Sequence, residues 1–221
     1  MSTTPESVQK MLNSEDFGDR LSGVNQLRQL ETATAFNMVQ PAIGDENARV
    51  RYSAVSLMDS LGHQDLQTSL QLLRDRLLND PEPDVQAAAA DALGALKLSD
   101  AFEDMQRLYQ ESSEWLVQFS IIAALGELGD SRGLELLRDA LASENPLVKT
   151  AAIGSFGELS DPRAVSLLSP YVSDPDWQVR SRVVQALSRI GGAEARSLLE
   201  QLADDEAEQV AQEATNSLAS A

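Results

Sequence analysis

The chain has 221 residues, of which 35 are acidic and 17 basic, and its formal net charge at pH 7 is -18. Hydrophobic residues reach 43% and aromatic residues only 5%, which excludes a disordered acidic chain and favours close-packed helices over a sandwich or barrel. Because the chain has no cysteine, it has no disulfide, cysteine-bound metal or thiol nucleophile. Its single histidine excludes sites built from several histidines. The negative charge argues against binding to nucleic acid or to an anionic membrane.

Seven similar segments follow one another along the chain. Each has an anchor residue followed by apolar residues about four, five, seven or eight and eleven positions later, a periodicity that predicts an amphipathic helix, here called helix B. The last four anchors are spaced by a constant 31 residues, and the largest spacing is 35. The anchors are Asp19 in a degenerate first copy, then Val50, Val85, Val117, Val148, Val179 and Val210.

A second apolar patch precedes each anchor, as at Leu136, Leu137 and Leu141, and predicts a preceding helix A. Asn or Asp beside Pro indicates the turn from helix A to helix B. Glycines at Gly129 and Gly191 are typical of the turn that follows helix B. The last helix is predicted from residue 206 to residue 219.

These hairpins predict an all-α fold. One hairpin cannot bury its apolar stripe alone, so each must stack on its neighbours. We therefore expect a solenoid of about seven short helical hairpins that forms one curved superhelical array. No linker or composition break interrupts the pattern, which predicts a single repeat domain over residues 1–221.

The residues directly after the anchors suggest a binding surface. In such arrays, the residues of helix B that do not enter the core line the concave face. Arg49 and Arg182 lie beside this column, and the alternative interpretation is ordinary solvated charge. The column is polar and mostly basic within an acidic protein, and it comprises Arg20, Arg51, Gln86, Gln118, Lys149, Arg180 and Ala211.

Aromatic residues accompany the basic column. Trp115 and Trp177 both lie two residues before an anchor, and Tyr52 and Phe119 both lie two residues after one. Trp115 and Phe119 share a helix face because they are four residues apart. We expect this set to stack on a planar ligand or to grip a partner helix. Alternatively, the rings fill gaps between repeats, since tryptophan is usually largely buried.

Catalytic residues cannot be assigned from the sequence. His63 lies in the one enlarged connection, near residues 62–68, and an enlarged loop in a regular array points weakly to function. Asp59, Asp91 and Glu127 are carboxylates of helix B that could exchange protons with a ligand. We find no nucleophile elbow, phosphate loop, dinucleotide fingerprint or metal-ligand cluster.

Two further absences bear on location. No apolar run approaches the ~20 residues that a membrane-spanning helix needs. The first residues lack the basic and apolar regions of a signal peptide. The sequence therefore predicts a cytoplasmic protein that does not insert into a membrane.

Several strings resemble a known family. Residues 125–137 read LGELGDSRGLELL, and residues 156–164 repeat the pattern as FGELSDPRA. These strings resemble the short HEAT-like repeat of the phycobilisome (bilin) lyase family. Residues 47–55, 84–96 and 114–126 are similar to cyanobacterial phycobilisome degradation proteins of the NblB type. The resemblance covers essentially the whole chain.

The resemblance implies a protein that binds phycobiliprotein subunits on its concave face during remodelling or degradation of the light-harvesting antenna. Relatives attach or detach open-chain tetrapyrroles at cysteines of the client, so a chain without cysteine is compatible with chromophore detachment. Arginine side chains match the two propionates of a bilin, and transient phycocyanobilin is the only cofactor expected. The resemblance also implies that the protein is located near phycobilisomes at the thylakoid surface. The alternative is a protein-interaction scaffold without pigment chemistry, and the oligomeric state stays open.

Overall fold

The computed structural model describes residues 3–220, which form α-helices and short 3₁₀ segments and contain no β-strand. The prediction of an all-α chain built from short hairpins is confirmed. The helices, in chain order, are α1 (Pro5–Leu12), α2 (Phe17–Gln26), α3 (Thr32–Val39), α4 (Ala48–Ser56), α5 (Met58–Leu61), α6 (Leu66–Asn79), α7 (Pro83–Ala95), α8 (Phe102–Glu111), α9 (Trp115–Leu128), α10 (Gly133–Ala140), α11 (Pro146–Leu159), α12 (Ala164–Leu168), α13 (Trp177–Ile190), α14 (Gly192–Leu202) and α15 (Glu208–Ser220).

The chain divides into two compact units, Met1–Ile121 and Ile122–Ala221, with the boundary inside α9. In the first unit the B helices are α2, α4, α7 and the first half of α9. In the second unit they are the rest of α9, α11, α13 and α15. The single repeat domain over residues 1–221 stays a prediction. Within residues 3–220 no helix is both long and apolar enough to span a membrane.

The B helices begin where the anchors predict, and five of the seven anchors are buried, whereas Asp19 is exposed and Val179 is partly buried. In the first unit Val50, Val85 and Val117 are buried, and in the second unit Val148 and Val210 are buried. Because residues four and five positions further along face the same way, each helix presents a continuous apolar stripe to its neighbours. This stripe forms the core of each unit.

Each turn into a B helix is closed by one polar side chain five residues before the anchor. The carboxylate or hydroxyl of this residue accepts a hydrogen bond from the backbone N–H two residues later, which fixes the turn locally. The residues that accept are Ser14, Asp45, Asp80 and Ser112 in the first unit, and Ser143, Asp174 and Asp205 in the second. The last helix begins at Glu208 rather than at residue 206, because the Asp205 turn extends to Ala207.

The turns after α9, α11 and α13 contain residues with positive φ, as predicted for the glycines, whereas α2 and α4 end in right-handed backbone. Gly129 has φ +70°, and Gly191 and Gly192 have φ +68° and +87°. Ser160 occupies the equivalent place after α11 with φ +52°. A left-handed residue ends the helix and turns the chain towards the next helix A.

Neighbouring B helices of the second unit approach closely through small residues. A Cβ atom added at Gly126 would lie 2.7 Å from the Cα of Ser155, and one at Gly157 would lie 2.8 Å from the Cα of Ala186. The Ser155 hydroxyl donates to the carbonyl of Ile122 at 2.8 Å. These contacts bring the helix backbones together and leave no room for larger residues.

Candidate functional site

Arg51, which directly follows an anchor, lies in the interior. Its Nε and Nη2 donate to the two carboxylate oxygens of Asp80 at 2.8 and 2.9 Å. Its Nη1 donates to the carbonyls of Asp45 and Glu46 at 2.9 and 3.2 Å. The arginine therefore binds the turn of its own repeat and the acid of the next repeat. We call this arrangement, an arginine after the anchor with the aspartate of the next turn, an arginine clasp.

The same clasp occurs twice more. In the first unit Arg20 pairs with Asp45, with Nε–Oδ2 at 2.7 Å and Nη2–Oδ1 at 3.0 Å. In the second unit Arg180 pairs with Asp205 at 2.7 and 2.8 Å, and its Nη1 donates to the carbonyl of Asp174 at 2.7 Å. All three arginines are buried, and paired hydrogen bonds of this kind are the stronger form of ion pair.

The clasps correct the expectation of an exposed basic row. Arg51 and Arg180 do not face solvent, because their guanidinium groups are used to hold turns together. Gln118 has a similar place, since its Nε2 donates to the carbonyl of Ser112 at 2.9 Å. Lys149, in the second unit, is partly exposed.

A signal for the clasps is present in the sequence. Wherever arginine follows an anchor, aspartate lies five residues before the next anchor: Arg20 with Asp45, Arg51 with Asp80, and Arg180 with Asp205. The copies with Gln86 and Gln118 are followed instead by serine at that place. The paired occurrence of the two residue types points to ion pairs between repeats rather than to a ligand.

The clasps lower the pKa of their aspartates. Burial raises the pKa of Asp80, but this is outweighed by hydrogen bonds from Arg51 and the Glu82 N–H and by nearby positive charge, so the net pKa lies below its ordinary value. The hydrogen bond from Arg180 is the largest cause of the lowered pKa of Asp205. The acids therefore stay ionised at neutral pH, as a paired buried charge must.

A groove in the first unit lies across exposed residues of α4, α7 and α9 and encloses about 370 Å³. Arg49 and Tyr52 of α4 form one wall, and both are exposed. Leu116 and Ser120 of α9 line the opposite side. The structure thus brings together two of the predicted site residues, Arg49 and Tyr52.

The floor of the groove is α7. Ala87 and Ala88 lie at the bottom, and Asp84 and Asp91 flank them on the same helix face. Glu82, just before α7, adds a third carboxylate to the lining. Small alanine side chains therefore form the floor of the groove, and its lining contains three carboxylates and one guanidinium.

The other predicted aromatic and basic residues lie outside this groove. Trp115 is 46% exposed and Phe119 is partly buried, and neither lines the groove. In the second unit, Trp177 is 40% exposed. Arg182, also in the second unit, is exposed and donates to the Gln185 side chain at 3.3 Å. The two tryptophans are thus not enclosed in gaps between repeats.

Three exposed apolar residues were not predicted. Phe17 is 43% exposed, Leu66 is 44% exposed and Leu147 is 52% exposed. Phe17, Trp115 and Trp177 are each the first residue of a B helix. The signal was available, because Phe17 lies two residues before the first anchor just as the tryptophans precede theirs. An aromatic residue at this place points outward from the start of the helix.

The candidate proton-transfer residues lie apart from any cluster that suggests catalysis. His63 is exposed in the short 3₁₀ segment Gly62–Gln64. Asp59 and Glu127 are exposed, and Asp91 lines the groove. In residues 3–220 no group of three or more His, Cys, Asp or Glu side chains could hold a metal ion.

The repeats identify the family. The family model for HEAT repeats matches residues 70–155 and 134–219, so the chain belongs to the HEAT-repeat family. No curated protein matches the chain in sequence.

Solved structures share the fold. The chain is similar to the complex of CpcE and CpcF of phycocyanin lyase from Nostoc sp. PCC7120, with 22% identity and a TM-score of 0.63 over 100% of this chain and 95% of that chain. It is also similar to YibA of Escherichia coli, with 16% identity and a TM-score of 0.67 over 98% and 81%. An archaeal HEAT-like repeats protein from Thermococcus onnurineus NA1 has 14% identity and a TM-score of 0.57 over 99% and 97%. These similarities show the fold, an α-solenoid of HEAT-like repeats.

Proposed function

We propose that this HEAT-repeat protein binds phycobiliprotein subunits on the concave face that its B helices are predicted to form and acts in phycobilisome remodelling or degradation in the cytoplasm, near the thylakoid surface. The observation that carries this proposal is the fold similarity to the CpcE and CpcF complex of phycocyanin lyase, which extends over the full length of this chain. The exposed groove and the exposed Trp115 give the chain a surface on which a client can bind.

The protein acts on chromophore detachment by positioning the client. The chain has no cysteine, so a thioether bond that is formed or broken belongs to the client. Holding a reacting group in a productive geometry can by itself accelerate a reaction strongly. We therefore propose that the protein assists bilin detachment by holding the client in a productive geometry.

The groove favours contact with the protein part of the client over contact with the pigment. The buried clasps withdraw Arg51 and Arg180 from the surface. Among the described residues, the groove lining contains Arg49 as its arginine, together with three carboxylate residues. A bilin with two propionates would meet like charge there, which disfavours a free pigment as ligand. Transient contact with phycocyanobilin is accordingly the weaker part of the proposal.

Mixing the purified protein with phycocyanin tests the proposal. We expect a complex in sedimentation velocity, together with a change in visible absorption when the chromophore environment is altered. Changing Tyr52 and Trp115 together to Ala should weaken the complex. Leu66→Ala is the matched control, since Leu66 is similarly exposed but lies on α6, away from the groove. If neither a complex nor a spectral change is observed, the proposal is wrong.

A second candidate is a scaffold for protein interactions without pigment chemistry. The acidic rim of the groove favours it, because this rim suits a protein segment whether or not that protein carries pigment. If the protein is such a scaffold, it binds the chromophore-free subunit, or a protein unrelated to phycobiliproteins, as well as it binds intact phycocyanin. Equal affinity for the chromophore-free and intact subunits, with no absorption change, would favour the scaffold.

A further inference from the structure

One position in the second unit has the aspartate of an arginine clasp but not the arginine. Lys149 follows the anchor of α11, and Asp174 lies 25 residues later, the same separation as between Arg180 and Asp205. Lys149 is partly exposed, and among residues 3–220 no carboxylate or carbonyl accepts a hydrogen bond from its ammonium group. The Asp174 carboxylate accepts the backbone N–H of Asp176 at 2.9 Å, which closes its own turn. We call the pair of Lys149 and Asp174 an open clasp.

Lysine cannot close the clasp in the way that arginine does. The guanidinium of Arg180 donates to both carboxylate oxygens of Asp205 and, through Nη1, to the carbonyl of Asp174. A lysine ammonium is a compact, strongly hydrated charge without a planar fork, so it does not form this paired arrangement. The turn before α13 is therefore fixed locally, but no paired hydrogen bonds hold it to α11.

The same two helices are held firmly at their other ends. A Cβ atom added at Gly157 of α11 would lie 2.8 Å from the Cα of Ala186 of α13, so the two backbones approach closely there. Arg189 of α13 also forms an ion pair with Glu158 of α11. Both contacts lie within the last five residues of the two helices. The pair is thus joined at the carboxyl ends and lacks a closed clasp at the amino ends.

The packing of the anchors agrees with a looser amino end. Val179, the anchor of α13, is partly exposed, whereas Val148 of α11 and Val210 of α15 are buried. On its other side, α13 is held to the following repeat by a closed clasp and by Ser181, whose hydroxyl donates to the Glu213 carboxylate at 2.6 Å. The joint between α13 and α15 therefore provides a closed reference within the same unit.

We propose that α11 and α13 form a joint that splays, in which the amino ends separate transiently while the carboxyl ends stay in contact. The end with fewer fixed contacts is the one that opens more readily. Leu147, 52% exposed, and Trp177, 40% exposed, lie at the amino ends of the two helices. The motion changes the spacing between these apolar side chains, so the second unit adapts to partner surfaces of different shape. The inference goes beyond the proposed function, because it does not depend on which partner binds.

Spin labels at three equivalent positions test the motion. Leu147, Gln178 and Gln209 are exposed, and each lies one residue before its anchor. Because the chain has no cysteine, cysteine substitution of these residues in pairs gives unambiguous labelling sites. We expect dipolar EPR to show a broader distance distribution across the open clasp, between labels at 147 and 178, than across the closed clasp, between labels at 178 and 209. Equal widths would overturn the proposal.

Closing the clasp should remove the motion. Lys149→Arg supplies the missing guanidinium, so we expect the broad distribution to narrow to that of the closed joint and the Tm to rise by about 2–4 °C. Lys10→Arg, at an exposed position of α1, is the matched control and should change neither the distribution nor the Tm.

Removal of the Asp174 carboxylate identifies the partner of the new arginine. Serine closes the equivalent turns before α9 and α11, so Asp174→Ser keeps the turn and removes the charge. In this background Lys149→Arg should neither narrow the distribution nor raise the Tm. If Lys149→Arg has no effect on the unchanged chain, or has the same effect with and without the carboxylate, the open clasp does not cause the motion and the inference is wrong.

Discussion

The side chains of Arg51 and Asp80 are joined by two parallel hydrogen bonds at 2.8 and 2.9 Å although they lie 29 residues apart in sequence. The Asp80 side chain is fully buried, and the Arg51 side chain is 9% exposed. Because Asp80 also accepts the backbone N–H of Glu82 at 3.1 Å, a single carboxylate closes its own turn and holds the preceding repeat. The joint between these repeats is thus polar and directional as well as apolar.

Removing the arginine of this clasp should destabilise the protein. Arg51→Met leaves the buried Asp80 carboxylate with only Arg76, at 3.2 Å, as a charged partner. We expect the free energy of unfolding in urea to fall by about 2–4 kcal/mol. Arg49→Met, two residues earlier at an exposed position, should change it by less than about 0.5 kcal/mol. Equal effects of the two substitutions would contradict a structural role for the clasp.

The clasps should make stability depend on pH in the acid range. The pKa of Asp205 is lowered in the folded protein by the hydrogen bond from Arg180, so the folded state binds fewer protons than the unfolded state. The resulting stability is fully present above the unfolded pKa of about 3.9 and is lost as pH falls through the lower folded pKa. The difference in unfolding free energy between the unchanged protein and Asp205→Asn should therefore shrink between pH 7 and pH 3. A difference that stays constant with pH would argue against this linkage.

Two glycines of α11 should respond oppositely to alanine. At Gly157 the added Cβ would lie 2.8 Å from the Cα of Ala186, so α11 and α13 must separate, and we expect a loss of about 1–3 kcal/mol. At Gly154 the nearest atom would be the Cδ of Arg182 at 3.9 Å. Gly154→Ala should be neutral or stabilising by up to about 1 kcal/mol, since alanine favours helix. Thermal unfolding of both variants measures the contrast, and a stable Gly157→Ala protein would show that the helices can move apart.

The exposed tryptophans should matter for binding more than for stability. Trp115 and Trp177 are 46% and 40% exposed, so their replacement by Ala removes less buried area than replacement of a core residue. We expect the unfolding free energy of each variant to fall by about 1 kcal/mol or less, with a larger proportional loss of phycocyanin binding for Trp115→Ala. Phe156→Ala, at a fully buried position, serves as the contrast and should cost about 3–5 kcal/mol. If a tryptophan variant were as unstable as Phe156→Ala, the tryptophan would instead have a role in the core.

The helices could be predicted from the sequence because their causes are local and periodic. The apolar period places the B helices, and the residue types at the turns, such as Asn145 and Gly129, fix where helices begin and end. The environment of Arg51 could not be read from its own helix. The helical periodicity predicts that an arginine next to an anchor lies on the surface. In the structure, however, its long side chain reaches an acid that belongs to the following repeat.

The groove could be predicted only in part, because residues of several neighbouring helices form it. Arg49 and Tyr52 were predicted as site residues, but Ala87 and Ala88 were not, because alanine carries no chemical signal of binding. The groove forms where these alanines lie between the larger side chains of α4 and α9. Helix spacing in space, rather than any single residue, creates the site.

The arginine clasp also joins neighbouring repeats in the same way when the repeats differ in length. The paired residues lie 25 positions apart in two clasps and 29 apart in the third, Arg51 with Asp80, yet the bond lengths agree within 0.2 Å. The four additional residues fall between the two ends of that joint, in the stretch that contains His63. New segments can therefore be inserted between clasp residues while the connection to the next repeat is preserved. Such arrays can acquire loops with new roles without rebuilding their framework.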